Sequence, residues 1–109
     1  MIIEQIRYYV DGDDYDQLLQ ARREVTRIRQ QHGVPAGLIL IADPIPEDGP
    51  VIVWQCSYED EGDMGTAEAT LIGNADYEAA RARLSDIVSR VELELYTPDE
   101  DEEASAGEG

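Results

Sequence analysis

Lysine and phenylalanine are absent from this chain, and cysteine, histidine and tryptophan occur once each. One cysteine, Cys56, cannot form an internal disulfide or a cysteine-rich zinc site. One histidine, His32, cannot build a His-rich metal site, which argues against a zinc or haem protein. No metal site and no cofactor are therefore expected. No window approaches the eighteen or so uninterrupted apolar residues of a membrane span. The first residues, Met1 to Gln5, show no basic region followed by an apolar stretch, so no secretory signal is expected and the cytoplasm is the simplest compartment. No phosphate-binding glycine loop, nucleophile elbow or HExxH motif is present.

Positive charge is scarce. All 8 basic residues are arginine, against 25 Asp and Glu, for a formal net charge of −17. Six of the acids lie beyond Pro98, which leaves 19 acids against 8 arginines in the remainder. Such a field repels phosphate backbones and anionic headgroups, so neither nucleic acid nor a membrane surface is expected as a partner. At 109 residues the chain has room for one core. One domain is expected over residues 1–97, followed at 98–109 by a solvated acidic tail that has no apolar residue larger than alanine beyond Pro98.

Residues 2–10 are β-branched and aromatic with partial alternation, which predicts a strand. Asp11 to Asp14 is turn chemistry, and Asp13 or Asp14 can cap a helix from Tyr15 to His32 with Tyr15, Leu18, Leu19, Val25 and Ile28 as its apolar stripe. Gly33 stands where a left-handed C-terminal cap belongs, and Pro35 stops the helix. The nearly all-apolar run Gly37 to Ala42 predicts a strand buried on both faces. A proline-rich loop follows, and Val51 to Tyr58 returns as a second strand, so the two should form a hairpin. Asp63 to Gly73 alternates poorly and is read as a short helix capped by Asp63. Asn74 caps another helix, from Ala75 to about Arg90, with Tyr77, Ala80, Leu84, Ile87 and Val88 facing inward. Val91 to Tyr96 alternates cleanly as the last strand.

The order strand, helix, strand, strand, helix, strand predicts an α+β, ferredoxin-like βαββαβ domain: an antiparallel sheet with its helices on one face. Alternation in the first strand sends Ile2, Ile6, Tyr8 and Val10 toward the helices, with Glu4 a misfit among them. Ile3, Gln5, Arg7 and Tyr9 then lie on the open face. In the last strand Val91, Leu93 and Leu95 point one way, and Glu92, Glu94 and Tyr96 the other. A mixed open face of this kind is often covered by a second copy, so a homodimer through it is expected. Arg7 is placed to pair with Glu92 or Glu94, as an ordinary surface contact or across that interface.

A tyrosine-bearing first strand, a long helix ending at Gly33, a hairpin carrying Val53-Trp54-Gln55-Cys56-Ser57-Tyr58-Glu59, and the break Gly73-Asn74-Ala75-Asp76-Tyr77-Glu78 together resemble the dimeric α/β-barrel superfamily. The resemblance is to its NIPSNAP-like and antibiotic-biosynthesis-monooxygenase-like branches, where a Trp-x-x-Tyr-like strand and an Asn/Asp-Pro-Glu-Tyr/Trp break are common. Ala75 stands here where proline is usual. The resemblance spans about residues 2 to 96 and implies the fold and the dimer; no catalytic signature accompanies it.

His32 alone has an unperturbed pKa near neutrality and is the natural candidate acid or base. A histidine in a helix's last turn also sits favourably on the helix dipole, which is the simpler reading. Tyr8, Trp54 and Tyr58 are candidates for an aromatic pocket around a planar organic ligand, or else they fill a core that has no phenylalanine. Cys56 shares the parity of Trp54 and has no basic sequence neighbour to activate it. The acidic run 59–63 lacks the spacing of a calcium loop. Two functions follow. One is a cofactor-independent monooxygenase-like enzyme, or a binder of a small aromatic molecule. The other is a non-catalytic dimeric module, structural or regulatory, in which no acid–base pair is needed.

Overall fold

The computed structural model describes residues 1–11 and 13–99. Seven elements follow in order: β1 (Ile2–Tyr9), α1 (Tyr15–Gln31), β2 (Leu38–Ile41), β3 (Ile52–Tyr58), α2 (Glu61–Leu71), α3 (Ala75–Ile87) and β4 (Arg90–Tyr96). The strands form one antiparallel sheet in the order β2-β3-β1-β4. This is the ferredoxin-like arrangement, with β1 and β3 in the centre. The segment after Asp60 is a helix, α2, in addition to the two that the basic pattern requires. The expected tail lies, from residue 100 onward, outside the described residues.

The helix boundaries follow local chemistry. His32 closes α1, and Gly33 after it has φ +72°, a left-handed turn that L side chains avoid. Asn74 accepts a hydrogen bond from the Tyr77 N–H and starts α3. Asp60, rather than Asp63, caps α2: its side chain accepts from the Asp63 N–H, so the helix begins three residues, nearly a full turn, earlier than the pattern suggests. Asp14 precedes α1 but makes no side-chain cap bond. α3 stops at Ile87 because Val88 turns to extended backbone, and the chain enters β4 three residues later.

Leu18, Ile52, Trp54 and Leu71 are the largest fully buried side chains, and they join Val25, Ile28, Tyr8, Cys56 and Tyr58 in the core between sheet and helices. The run at Leu38–Ile41 does not occupy a buried central strand. β2 is an edge, paired only with β3, and Leu38, Leu40 and Ile41 are exposed. An apolar run reports a need for cover without saying which molecule supplies it. The opposite edge, β4, is also bare: Val91, Leu93 and Leu95 are 52%, 54% and 51% exposed. They pair with Tyr8, Ile6 and Glu4, so they belong to the helix side of the sheet, where α3 leaves them uncovered. On the open face Arg7 pairs with Glu92 at 3.4 Å and Glu94 at 3.6 Å, within the sheet itself. Tyr9 donates a hydrogen bond to the same Glu92.

Gly37 shows how tightly the loop before β2 fits. Its φ is +74°, and a Cβ there would overlap the Trp54 indole. Gly73 has φ +85° but open space around it. Gly73→Ala should therefore cost about 1–2 kcal/mol from backbone strain alone. Gly37→Ala should cost about 1–3 kcal/mol more, the overpacking penalty. Denaturant midpoints compare the two, and equal losses would rule out the clash.

Candidate functional site

The alternation of β1 and β3 sends Glu4, Ile6 and Tyr8, with Trp54 and Tyr58, toward the helices. α1 supplies Arg22, Val25 and Arg29 from the other side. Between them lies a cavity of about 330 Å³, lined also by Tyr77, Arg81 and Leu84 of α3, by Glu68 and Ile72, and by Leu93 of β4. A second hollow of about 250 Å³ shares Ile6, Tyr8, Arg81, Leu84 and Leu93 with it and runs on along Val88 and Val91. The two make one cleft. Its α1 end is aromatic and cationic, and its β4 end is apolar.

Trp54 anchors the α1 end. Its indole Nε1 donates to the Ala36 carbonyl at 2.9 Å, and the ring is 2% exposed. Two guanidiniums pack on that ring, Arg22 at 4.4 Å and Arg29 at 4.7 Å from its centroid. Cation–π attraction of this kind is worth about 2 kcal/mol when desolvated. Both arginines are nearly fully buried, at 3% and 5% exposed. Their surroundings differ. Arg29 donates from Nε to the Pro35 carbonyl at 2.7 Å and from Nη2 to the Tyr58 hydroxyl at 2.9 Å. Tyr58 in turn donates a long bond, 3.5 Å, to Glu4. Arg22 has neither: its Nε and Nη2 are buried and have no hydrogen-bond partner among the described residues.

Burial governs the titration of the wall. It pushes the Glu4 carboxyl above its ordinary value, although Arg29 pulls the other way. Burial also raises the Tyr8 phenol, against the charge of Arg22, and it raises the Tyr58 phenol, with Cys56 beside it adding to the effect. Loss of solvent draws the Arg22 guanidinium down, though an arginine stays charged. A carboxyl whose pKa is raised by burial in an aromatic cleft is a candidate for proton exchange.

Of the residues singled out by sequence, Tyr8, Trp54 and Tyr58 are brought together in this wall, and His32 is not. His32 is exposed at the C-cap of α1, with its Nε2 3.1 Å from the Asn74 side-chain nitrogen, beside a separate shallow groove against α2. Cys56 is buried, 4.0 Å from Arg29 Nη2. Among the described residues no three His, Cys, Asp or Glu side chains are grouped to hold a metal ion. The groups that pattern reading missed are Glu4, Arg22 and Arg29. A signal for the arginines exists: Leu18, Arg22, Val25 and Arg29 stand four, three and four residues apart, on one helical stripe.

No family model and no curated protein sequence matches the chain. Solved structures do. A NIPSNAP-domain protein from Burkholderia xenovorans is 15% identical, with 92% of this chain and 96% of that one covered at a TM-score of 0.70. A NIPSNAP-family protein from Agrobacterium tumefaciens is 20% identical, with 91% and 93% covered and a TM-score of 0.69. A protein from Nitrosomonas europaea assigned as an antibiotic biosynthesis monooxygenase is 16% identical, with 90% and 98% covered and a TM-score of 0.65. This chain has their fold. At such identities the likeness carries the ferredoxin-like architecture, and the chemistry of the cleft has to be argued from its own side chains.

The raised Glu4 value gives a stability test with a definite sign. The folded protein holds that proton more tightly than the unfolded chain, so ionising Glu4 subtracts stability as pH rises above the ordinary glutamate value, about 4.3. Glu4→Gln removes that loss. The melting temperature of Glu4→Gln minus that of the wild type should therefore be larger at about pH 7 than at about pH 4. A difference that is constant or shrinks with pH would contradict a raised Glu4.

Proposed function

We propose that the cleft beside Trp54 binds a small, planar aromatic molecule, and that the protein acts on it as a cofactor-independent monooxygenase-like enzyme. The observation that carries this reading is the cavity of about 330 Å³ walled by Tyr8, Trp54 and Tyr58, since a side-chain-filled core would leave no such space. The volume is at the small end for ligand sites and suits one or two fused rings. Glu4 is placed to accept a proton from a phenol, and Arg22 and Arg29 to favour the phenolate. A phenolate is electron-rich enough to reduce dioxygen. One oxygen atom enters the ring, the other leaves as water with the two displaced hydrogens, and the phenol becomes a quinone. In this scheme Glu4 exchanges protons and His32 has no part.

The expected result is saturable quenching of Trp54 fluorescence by naphthols, together with a raised melting temperature. Since Trp54 is the single tryptophan, its signal reports the cleft directly. Dioxygen uptake with an electron-rich naphthol, lowered at least tenfold in Glu4→Gln, supports the oxygenase step. Binding without uptake restricts the protein to a binder. No quenching or stabilisation by any one- or two-ring aromatic removes the small-molecule reading and leaves the non-catalytic dimeric module.

A homodimer through the open sheet face belongs to either reading. Leu38, Leu40 and Tyr96 are exposed there beside Ile3, Val53 and Tyr9, and an isologous contact would cover them on both copies. Light scattering at micromolar concentration should give twice the chain mass, and Leu40→Glu should shift it toward the monomer. A wild-type monomer under those conditions would defeat the dimer.

A further inference from the structure

We infer that the ligand of this cleft is a carboxylic acid, with its carboxylate on the Nε–Nη2 edge of Arg22 and its apolar body lying toward β4. The inference rests on the cleft being a small-molecule site and adds the chemical class of the occupant. The two arginines on Trp54 make the comparison. In Arg29 the edge formed by Nε and Nη2 is used within the protein, by the Pro35 carbonyl and the Tyr58 hydroxyl. In Arg22 the same two atoms have no hydrogen-bond partner among the described residues, and burial closes them to solvent. Those two N–H groups point in parallel, the spacing that receives both oxygens of one carboxylate.

Charge balance in the wall agrees. Arg22, Arg29 and Arg81 face Glu4 and Glu68, three cations against two carboxylates. Glu4 is engaged toward Tyr58. Arg81 is exposed, and solvent screens its charge. Arg22 is therefore the buried cation with donors to spare. Tyr8 and Glu4 lie near its charge, but Nε and Nη2 lack partners among the described residues, and the group is held against an indole and next to a second guanidinium. Burying an unpaired charge is costly to a fold, and an entering anion offsets that cost. Away from Arg22 the cleft loses its polarity along Ile6, Leu84, Leu93 and Val91, which fits an apolar body behind an acidic head. Both nitrogens are closed to solvent, so a carboxylate reaches that edge with movement of the side chains around it.

Titration calorimetry on the full chain with 2-naphthoate, 2-naphthamide and 2-naphthol tests this, since acid and amide share a shape and differ in charge. The acid should bind about tenfold or more tightly than the amide, the ratio expected when hydrogen bonds to a charged group are gained. Arg22→Gln and Arg22→Met should each abolish that preference while changing amide affinity less than threefold. Arg81→Gln should retain it. Both Arg22 variants should melt no lower than the wild type, because each removes a buried guanidinium with two unpaired N–H groups. Equal binding of acid and amide by the wild type overturns the inference without recourse to any variant. So does a preference for the acid that survives both Arg22 substitutions. Acid and amide bound equally, beside a tight naphthol, leaves the aromatic cleft standing and removes only the carboxylate. Binding of none of the three removes both.

Discussion

Two buried guanidiniums stacked on one indole are the constraint around which the helix side of this sheet is arranged. An all-apolar wall at Trp54 would pack to the density of a protein interior and leave no cavity. Arg22 and Arg29 prevent that, because each charged head must be given either partners or space. For Arg29 the fold supplies partners. The chain turns at Gly33, presents the Pro35 carbonyl, and brings Tyr58 across from β3. Gly37 then lets the backbone pass against the indole face without a Cβ, and Ala36 takes the indole N–H. Arg22 keeps Nε and Nη2 without partners among the described residues. A stability cost retained at one position while its neighbour is fully satisfied is the pattern expected where function and stability compete.

The elements themselves were legible because each is bounded by strong local chemistry. Gly33 and Pro35 end α1, Asn74 begins α3, and the alternation of Val91 to Tyr96 reads as a strand even though neither side of β4 is fully covered. The cap of α2 was misplaced because Asp60 and Asp63 carry the same capping side chain, and only the backbone decides which of them stands outside the helix. Burial was less legible. The run at Leu38–Ile41 has the composition of a doubly covered strand, but composition records the demand for cover and is silent on whether the cover comes from the same chain.

The site was half legible for a related reason. Strand parity placed Tyr8 on the helix side and marked Glu4 as the residue out of keeping with its neighbours, while the register of β3 against β1 brings Trp54 and Tyr58 to the same side. That misfit is the one carboxylate of β1 in the cleft wall. Arginine in a helix is ordinarily a solvated residue, so Arg22 and Arg29 were absorbed into the polar face of α1. Their spacing from Leu18 and Val25 puts them on the apolar stripe instead. His32 attracted notice because of its pKa range, yet position decides reach: a side chain one residue past the helix end points along the rim and away from the core.

The bare row on β4 ties these observations together. Val91, Leu93 and Leu95 lie on the side of the sheet that the helices cover, and they remain exposed because α3 packs against α1 and does not cover them. Closing α3 down onto β4 would bury that row, but it would also close the hollow between Leu84 and Leu93 and seal the route to Trp54. The cationic α1 end and the uncovered β4 end are thus two parts of a single arrangement. Charge keeps one end of the cleft from collapsing, and helix placement keeps the other open. An amphipathic occupant satisfies both at once: its acidic end answers Arg22, and its apolar end covers the leucines that the fold leaves in water.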